Sequence, residues 1–305
     1  MAHHHTNKGL SIAFWLNTSF AFIELLGGIY TNSTAILTDA FHDLGDSLAI
    51  GTGIYLEKIS LKSRNSTFSF GYKRFSLLSA LVLSTFLLVG AILMLINAIE
   101  KLFNPSVVDS KGMFVLAIIG IIINGLAFWR VQKNEGHHHS HHHTGHSHSH
   151  THSHNSQAIM LHLLEDVLGW VAILIGSIVI YYTHFYWIDP LLSIAIAIFI
   201  GYNAIGNLRV TMMIFLEAVP NSVPQEQLKN QILDIDGIKS LHDLHIWGLN
   251  ESFNILTVHL VIDNTQAHNH SFLRQQVISV LSSYNVQHPT IQFENEGEIC
   301  PWLHC

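Results

Sequence analysis

Six stretches of this chain, roughly residues 9–30, 33–57, 75–99, 112–131, 158–182 and 186–208, stay apolar over lengths that match the hydrocarbon core of a bilayer. In lipid no water reaches backbone N–H and C=O groups, so each stretch is restricted to an α-helix, which satisfies them internally. Composition agrees: 49% of the residues are hydrophobic and 11% charged, against about 25% charged in a soluble chain. The first stretch is too long for the apolar part of a cleaved leader and has no small-residue cleavage site, so it reads as a spanning segment. The net charge of −7 decides little, because its sign changes along the chain. Its placement says more. Lys58, Lys62, Arg64, Lys73 and Arg74 follow the second stretch, Arg130 and Lys133 the fourth, and Arg209 the sixth. The positive-inside rule therefore predicts both termini in the cytoplasm, with Lys101 and Lys111 running against it.

The second stretch contains Thr-Asp-Ala-Phe-His-Asp-Leu-Gly-Asp at 38–46. Each aspartate near the centre of a spanning helix opposes insertion by roughly 3 kcal/mol, which marks a site. His42 and Asp46 are four residues apart and lie on one helical face; Asp39 shares it and Asp43 points to its flank. The spacing recurs at His162 and Asp166 in the fifth stretch. Two imidazoles and two carboxylates make a complete tetrahedral set for Zn²⁺. The plain alternative, a hydrogen-bonded contact between helices, explains neither the duplication nor the insertion cost. Asp39 is placed to orient His42, and Asp43 to face a water-filled vestibule. For Glu24 in the first stretch two readings stand: proton relay and structural hydrogen bond.

Residues 137–154 hold eleven of the 24 histidines and no apolar side chain. Such a tract cannot pack and is expected to be disordered, a weak, exchanging collector of metal. After the sixth stretch the pattern changes. Gln225–Asp234 reads as an amphipathic helix, Ser240–Leu249 and Phe253–Asp263 as strands, Ser271–Ser283 as a helix and Thr290–Glu294 as a last strand, a small α+β layer. The expected division is therefore 1–208 for the membrane half and 209–305 for the cytoplasmic half. Two cysteines are too few for a disulfide framework. Cys300 and Cys305 read either as a zinc-binding tail or as ordinary reduced thiols.

These motifs, with Phe-Gly-Tyr-Lys-Arg at 70–74, Leu-His-Leu-Leu-Glu-Asp-Val-Leu-Gly in the fifth stretch, Asp189-Pro190, Phe-Leu-Glu-Ala-Val-Pro at 215–220 and Leu-His-Asp-Leu-His-Ile-Trp at 241–247, resemble the cation diffusion facilitators, the zinc-transporter group that includes bacterial cobalt–zinc–cadmium efflux proteins. The resemblance runs nearly end to end. It implies a homodimeric, proton-coupled exporter of zinc and similar divalent ions, with six transmembrane helices and a ferredoxin-like cytoplasmic domain. It assigns the transport site to His42, Asp46, His162 and Asp166, a charge pair to Lys73 and Glu217, and a cytoplasmic zinc site to His242, His259 and His288. His245 is the weaker neighbour of that set. Some relatives bind metal between the second and third helices; residues 57–71 here contain no His, Asp or Cys, so none is expected there. The resemblance fits a bacterial inner membrane, or an organelle membrane in a eukaryote, with no nucleic-acid partner.

Two other classes compete with a transporter. An intramembrane metal hydrolase needs an open zinc position and a nearby base; there is no His-Glu-x-x-His, and four ligands would close the site. A membrane zinc sensor or buffer suits the histidine tract and the C-terminal layer but not the four buried ligands. No Gly-x-x-x-x-Gly-Lys is present, so ATP is not expected to drive the cycle.

Overall fold

The computed structural model describes residues 3–135, 151–263, 269–298 and 300. Six long helices come first: α1 (His3–Thr31), α2 (Thr34–Ser60), α3 (Phe75–Phe103), α4 (Ser110–Glu135), α5 (Thr151–Thr183) and α6 (Ile188–Phe215). They are followed by α7 (Gln225–Leu233), β1 (Ile238–Asn250), β2 (Phe253–Ile262), α8 (His270–Ser283) and β3 (Val286–Asn295). The expected elements are all present, mostly longer at their ends. Most of the histidine tract lies outside the described residues, while Thr151–His154 form the first turn of α5. The chain divides into two compact units, Met1–Gly51 with Leu83–Ile205, and Thr52–Val82 with Gly206–Cys305.

The first unit buries polar side chains beside an apolar cluster that includes Phe20, Ile36, Met113, Trp170 and Ile173, and it exposes large apolar ones. Glu24, Thr34, Thr38, Asp39, Asp43, Ser177, Asp189 and Ser193 are buried, whereas Ile92, Leu93, Ile96, Ile122, Leu168 and Ile198 are exposed. That exposed apolar surface suits a hydrocarbon solvent. By length and composition α3, Ser110–Trp129 of α4, Leu164–Thr183 of α5, and α6 are able to cross a membrane. The polar sequence of α2 keeps it below the same apolarity. Small residues set helix packing: a Cβ on Gly120 of α4 would sit 2.3 Å from the Trp170 ring of α5, so glycine permits the close approach.

The N-terminus of α2 is fastened to the start of α6. Asp189, fully buried, accepts hydrogen bonds from Ser33 Oγ (2.5 Å), Thr34 N (2.6 Å), Thr34 Oγ1 (2.6 Å) and Ala35 N (3.2 Å). Ser33 Oγ accepts from Ile36 N at 3.2 Å. Three N–H groups of the first turn, which no intrahelical carbonyl can reach, are thus satisfied. One turn on, the Thr38 and Ser193 hydroxyls lie 2.7 Å apart.

In the second unit the sheet order is β1-β2-β3, with β1 antiparallel and β3 parallel to β2. The β2–α8–β3 connection supplies the crossover that a parallel pair requires. Leu256, Val258 and Leu260 of β2 pack with Leu228 and Ile232 of α7 and Val277 and Leu281 of α8. The opposite face of β2 carries Thr257, His259 and Val261, by the two-residue period of a strand.

Candidate metal centres

Helix α2 presents two adjacent stripes. Asp39, Asp43 and Ser47 recur every four residues, and His42 and Asp46 form the neighbouring row. Asn17 of α1 donates to the Asp43 carbonyl (3.0 Å) and to Ser47 Oγ (3.2 Å), which turns the first row toward α1. The second row meets α5: His42 Nε2 is 3.9 Å from Asp46 Oδ2 and 3.9 Å from Asp166 Oδ1. These separations are too long for hydrogen bonds. A tetrahedral ion bound at about 2.0–2.1 Å sets its ligand atoms roughly 3.3 Å apart, somewhat closer than these two His42–carboxylate separations. The three side chains are 11–21% exposed, screened yet accessible to an ion. His162 lies on α5 one turn before Asp166; its side chain is outside the described residues. Behind His42 the packing is tight: a cavity of only about 10 Å³ lies among Thr38, Phe41, Leu87, Gly90, Met94 and Ile200. A much larger cavity of about 710 Å³, lined by Tyr30, Asn32, Asp109, Lys111, Tyr181 and His184, lies at the ends of α1, α4 and α5. It has an interfacial aromatic character, and no His, Cys, Asp or Glu group there converges closely enough to hold a metal among the described residues.

The second centre is in the cytoplasmic layer. His242 on β1 and His259 on β2 are direct cross-strand partners, with ring centroids 5.2 Å apart. Glu294 on β3 reaches both: Oε2 is 3.2 Å from His242 Nε2, and Oε1 is 2.8 Å from His259 Nδ1. Cys300 Sγ lies 3.4 Å from His259 Nδ1. Ligand atoms of these four residues all fall within 4.8 Å of one another. Glu294 and Cys300 are buried, so a shared cation would offset the cost of burying the carboxylate. Two imidazoles, a carboxylate and a thiol form a donor set suited to zinc-like ions.

A bulge in β1 shapes this centre. Asp243 has φ +51° and, with Leu244, interrupts the ladder between the His242↔His259 and His245↔Thr257 pairs. Two residues facing one restore His245 to the ligand face and turn Leu244 to the core. Asp243 Oδ1 is 2.8 Å from His245 Nε2, and Oδ2 is 3.6 Å from His259 Nε2. A carboxylate on the outer nitrogen of His259 leaves Nδ1 to face the cluster.

Two sequence expectations are corrected. His288 is exposed at the start of β3, pairs with Ile255, and stacks edge-on against Phe70 with centroids 5.4 Å apart. The strand register sets it four residues, about 13 Å, from the His259 level, and Glu294 and Cys300 complete the cluster instead. Glu217 pairs with Arg74 at 2.9 Å, while Lys73 lies 4.3 Å over the Phe253 ring. Consecutive residues in the turn before α3 point in different directions, so one position decides which cation meets the acid. Glu294 was missed because its partnership arises from the pairing of β3 with β2; in sequence it continues the polar row of Thr290 and Gln292, and nothing local sets it apart. Cys305 lies outside the described residues.

A family model described as "Cation efflux transmembrane domain" matches residues 10–216, and one described as "Cation efflux protein, cytoplasmic domain" matches residues 220–296. The chain is 32% identical to the "Cadmium, cobalt and zinc/H(+)-K(+) antiporter" of Bacillus subtilis (strain 168), over 97% of this chain and 93% of that protein. It is 29% identical to "Zinc transporter ZitB" of Pectobacterium atrosepticum, over 100% of this chain and 92% of that protein. A solved structure, "Metal-bound C-terminal domain of the CzcD transporter from Cuprividus metallidurans", matches with 38% identity over 24% of this chain and 99% of that one, at a TM-score of 0.22. With both family models covering nearly its whole length in order, and two His- and carboxylate-bearing centres in the matched segments, this chain belongs to the cation efflux family.

Proposed function

We propose that the protein is a secondary transporter that exports zinc, with cobalt and cadmium as further substrates, from the cytoplasm in exchange for protons. The observation that carries this reading is the convergence of Asp46 and Asp166 on His42 Nε2 between two helices of a lipid-adapted unit. A nitrogen donor beside carboxylates favours zinc-like ions over magnesium and manganese, which prefer oxygen. Imidazole binds metal only when neutral, so protons and metal compete for the same ring. His162 completes the site from α5, and Asp39 orients His42.

The transporter acts as a homodimer with both termini in the cytoplasm, in the inner membrane of a bacterium. The cation-rich loops support this topology. Lys101, which runs against it, donates to Asn32 O (3.0 Å) and Oδ1 (2.8 Å) and so has a local structural use. The histidine tract captures metal weakly before transport, and the His242–His259–Glu294–Cys300 cluster binds zinc as a cytoplasmic site. Zinc flux in proteoliposomes tests the main reading. Asp46→Ala and Asp166→Ala are each expected to abolish it while leaving the protein folded. Wild-type flux from either folded variant would falsify the ligand assignment.

A further inference from the structure

Lys101 and Lys111 both run against the positive-inside rule, and they differ in what they meet. Lys101 is engaged by Asn32. Lys111, exposed at the start of α4, forms no ion pair among the described residues; its Nζ lies 5.9 Å over the Tyr181 ring, the outer limit of a cation–π contact. It borders the cavity of about 710 Å³ at the ends of α1, α4 and α5, which lies wholly within the first unit. Four tyrosines line that cavity: Tyr30, Tyr181, Tyr182 and Tyr186. Tyr30 and Tyr182 are 83% and 78% exposed.

Local backbone geometry shapes the cavity. Left-handed His184 (φ +53°) closes α5 and turns the chain, so Tyr181 and Tyr182 before the turn and Tyr186 after it border one space. On the other side, left-handed Asn32 (φ +58°) closes α1 and donates to Ser106 Oγ (2.9 Å) and Val107 O (3.0 Å). Asp109 N donates to Thr31 O at 2.9 Å. These bonds hold the end of α1 against the segment that enters α4, so the walls are ordered before anything binds. Asp109 also borders the cavity, and its Oδ1 accepts from the Lys111 backbone N–H at 3.2 Å. That bond engages the backbone, so the carboxylate and the Lys111 ammonium remain separate charges on one rim.

We propose that this cavity binds the headgroup of a zwitterionic phospholipid, one that carries a phosphate diester and an ammonium, such as phosphatidylethanolamine. The Lys111 ammonium meets the phosphate in a charge-assisted contact. The Asp109 carboxylate and the tyrosine faces meet the headgroup ammonium. The cavity lies at the ends of bilayer-spanning helices, where tyrosine rings sit at headgroup level. A lipid phosphate is tethered at that depth, at an effective concentration that a free anion does not reach. The two opposite charges on one rim disfavour a simple anion, which Asp109 repels, and a metal cation, which Lys111 repels. A bound headgroup touches the ends of α1, α4 and α5 together and so steadies them against one another. In the topology proposed above this is the outer leaflet; the inference itself requires only headgroup depth.

Full-length protein, purified in detergent and freed of lipid, tests this by titration with defined lipids read by native mass spectrometry. Phosphatidylethanolamine is expected to bind at lower concentration than phosphatidylglycerol, which lacks the ammonium, and than diacylglycerol, which lacks the phosphate as well. Lys111→Gln is expected to weaken the first binding event about tenfold, as for loss of one charged contact, whereas Lys229→Gln on α7 is expected to leave it unchanged. Asp109→Asn, which keeps an acceptor for the Lys111 N–H, is expected to erase the preference over phosphatidylglycerol. A second readout needs no variant: wild-type protein in liposomes with a phosphatidylethanolamine bearing a diazirine beside its glycerol is irradiated and digested. Cross-links are expected within 107–111 and 181–186, removed by excess unlabelled phosphatidylethanolamine and not by inorganic phosphate. Cross-links confined to other segments overturn the inference, as does Lys111→Gln binding like wild type or Lys229→Gln weakening binding as much. Equal binding of the two phospholipids, or a preference that survives in Asp109→Asn, overturns the zwitterionic assignment. Displacement by inorganic phosphate overturns the lipid and makes the cavity a site for a free anion.

Discussion

Replacing Asp189 by alanine removes the acceptor of four hydrogen bonds at one buried point, two from backbone N–H groups of Thr34 and Ala35 and two from the hydroxyls of Ser33 and Thr34. The hydroxyls can rotate toward other acceptors. The two N–H groups cannot turn, because they are fixed in the first turn of α2. Each costs about 1–3 kcal/mol when buried without an acceptor, and loss of negative charge at the helix N-terminus adds about 0.3–1 kcal/mol. The expected destabilisation is about 2–7 kcal/mol, tens-fold or more in the unfolding constant at roughly 1.4 kcal/mol per tenfold. Asp189→Asn keeps one oxygen and should lose about half as much. Reversible unfolding of purified protein in mixed micelles measures both, and hydrogen exchange at Thr34 and Ala35 localises the effect. If both variants stay within about 1 kcal/mol of wild type, the N–H groups have found other partners and Asp189 is not what fastens α2 to α6.

Gly120→Ala drives a methyl group to 2.3 Å from the Trp170 ring; the resulting separation of α4 and α5 should cost about 1–3 kcal/mol in the same unfolding assay, with Gly125→Ala, which meets nothing within 4 Å, as the neutral comparison. Glu294→Gln should weaken Co²⁺ or Zn²⁺ binding at the cytoplasmic cluster by about tenfold or more in competition titrations, whereas His288→Ala should leave it unchanged. Arg74→Ala and Glu217→Ala should show a coupling of about 0.2–1 kcal/mol in a double-mutant cycle, as for a partly exposed pair. Lys73→Ala with Glu217→Ala should show none.

The fold and the proposed transport site were legible in the sequence to the extent that both depend on local periodicity. A bilayer-length apolar run has one backbone solution, and four-residue spacing on that helix puts His42 with Asp46 on one face whatever the neighbours are. The same reasoning marked Glu24 as anomalous from its setting alone, and alternation marked out the three strands. What only the tertiary structure decided is every pairing between distant segments. Nothing local says that Glu294 and Cys300 join His242 and His259, that His288 falls at the wrong level of the sheet, or that Arg74 rather than Lys73 takes Glu217. The αL conformation of Asp243, which inserts a bulge and moves His245 to the ligand face, likewise follows from the β1–β2 register. Asp189 is visible in the sequence as an acid before a proline; its role as the cap of a helix 155 residues away exists only in the folded chain. Helical and strand periods are properties of the backbone over a few residues, whereas these contacts depend on how separate elements pack, which no period encodes.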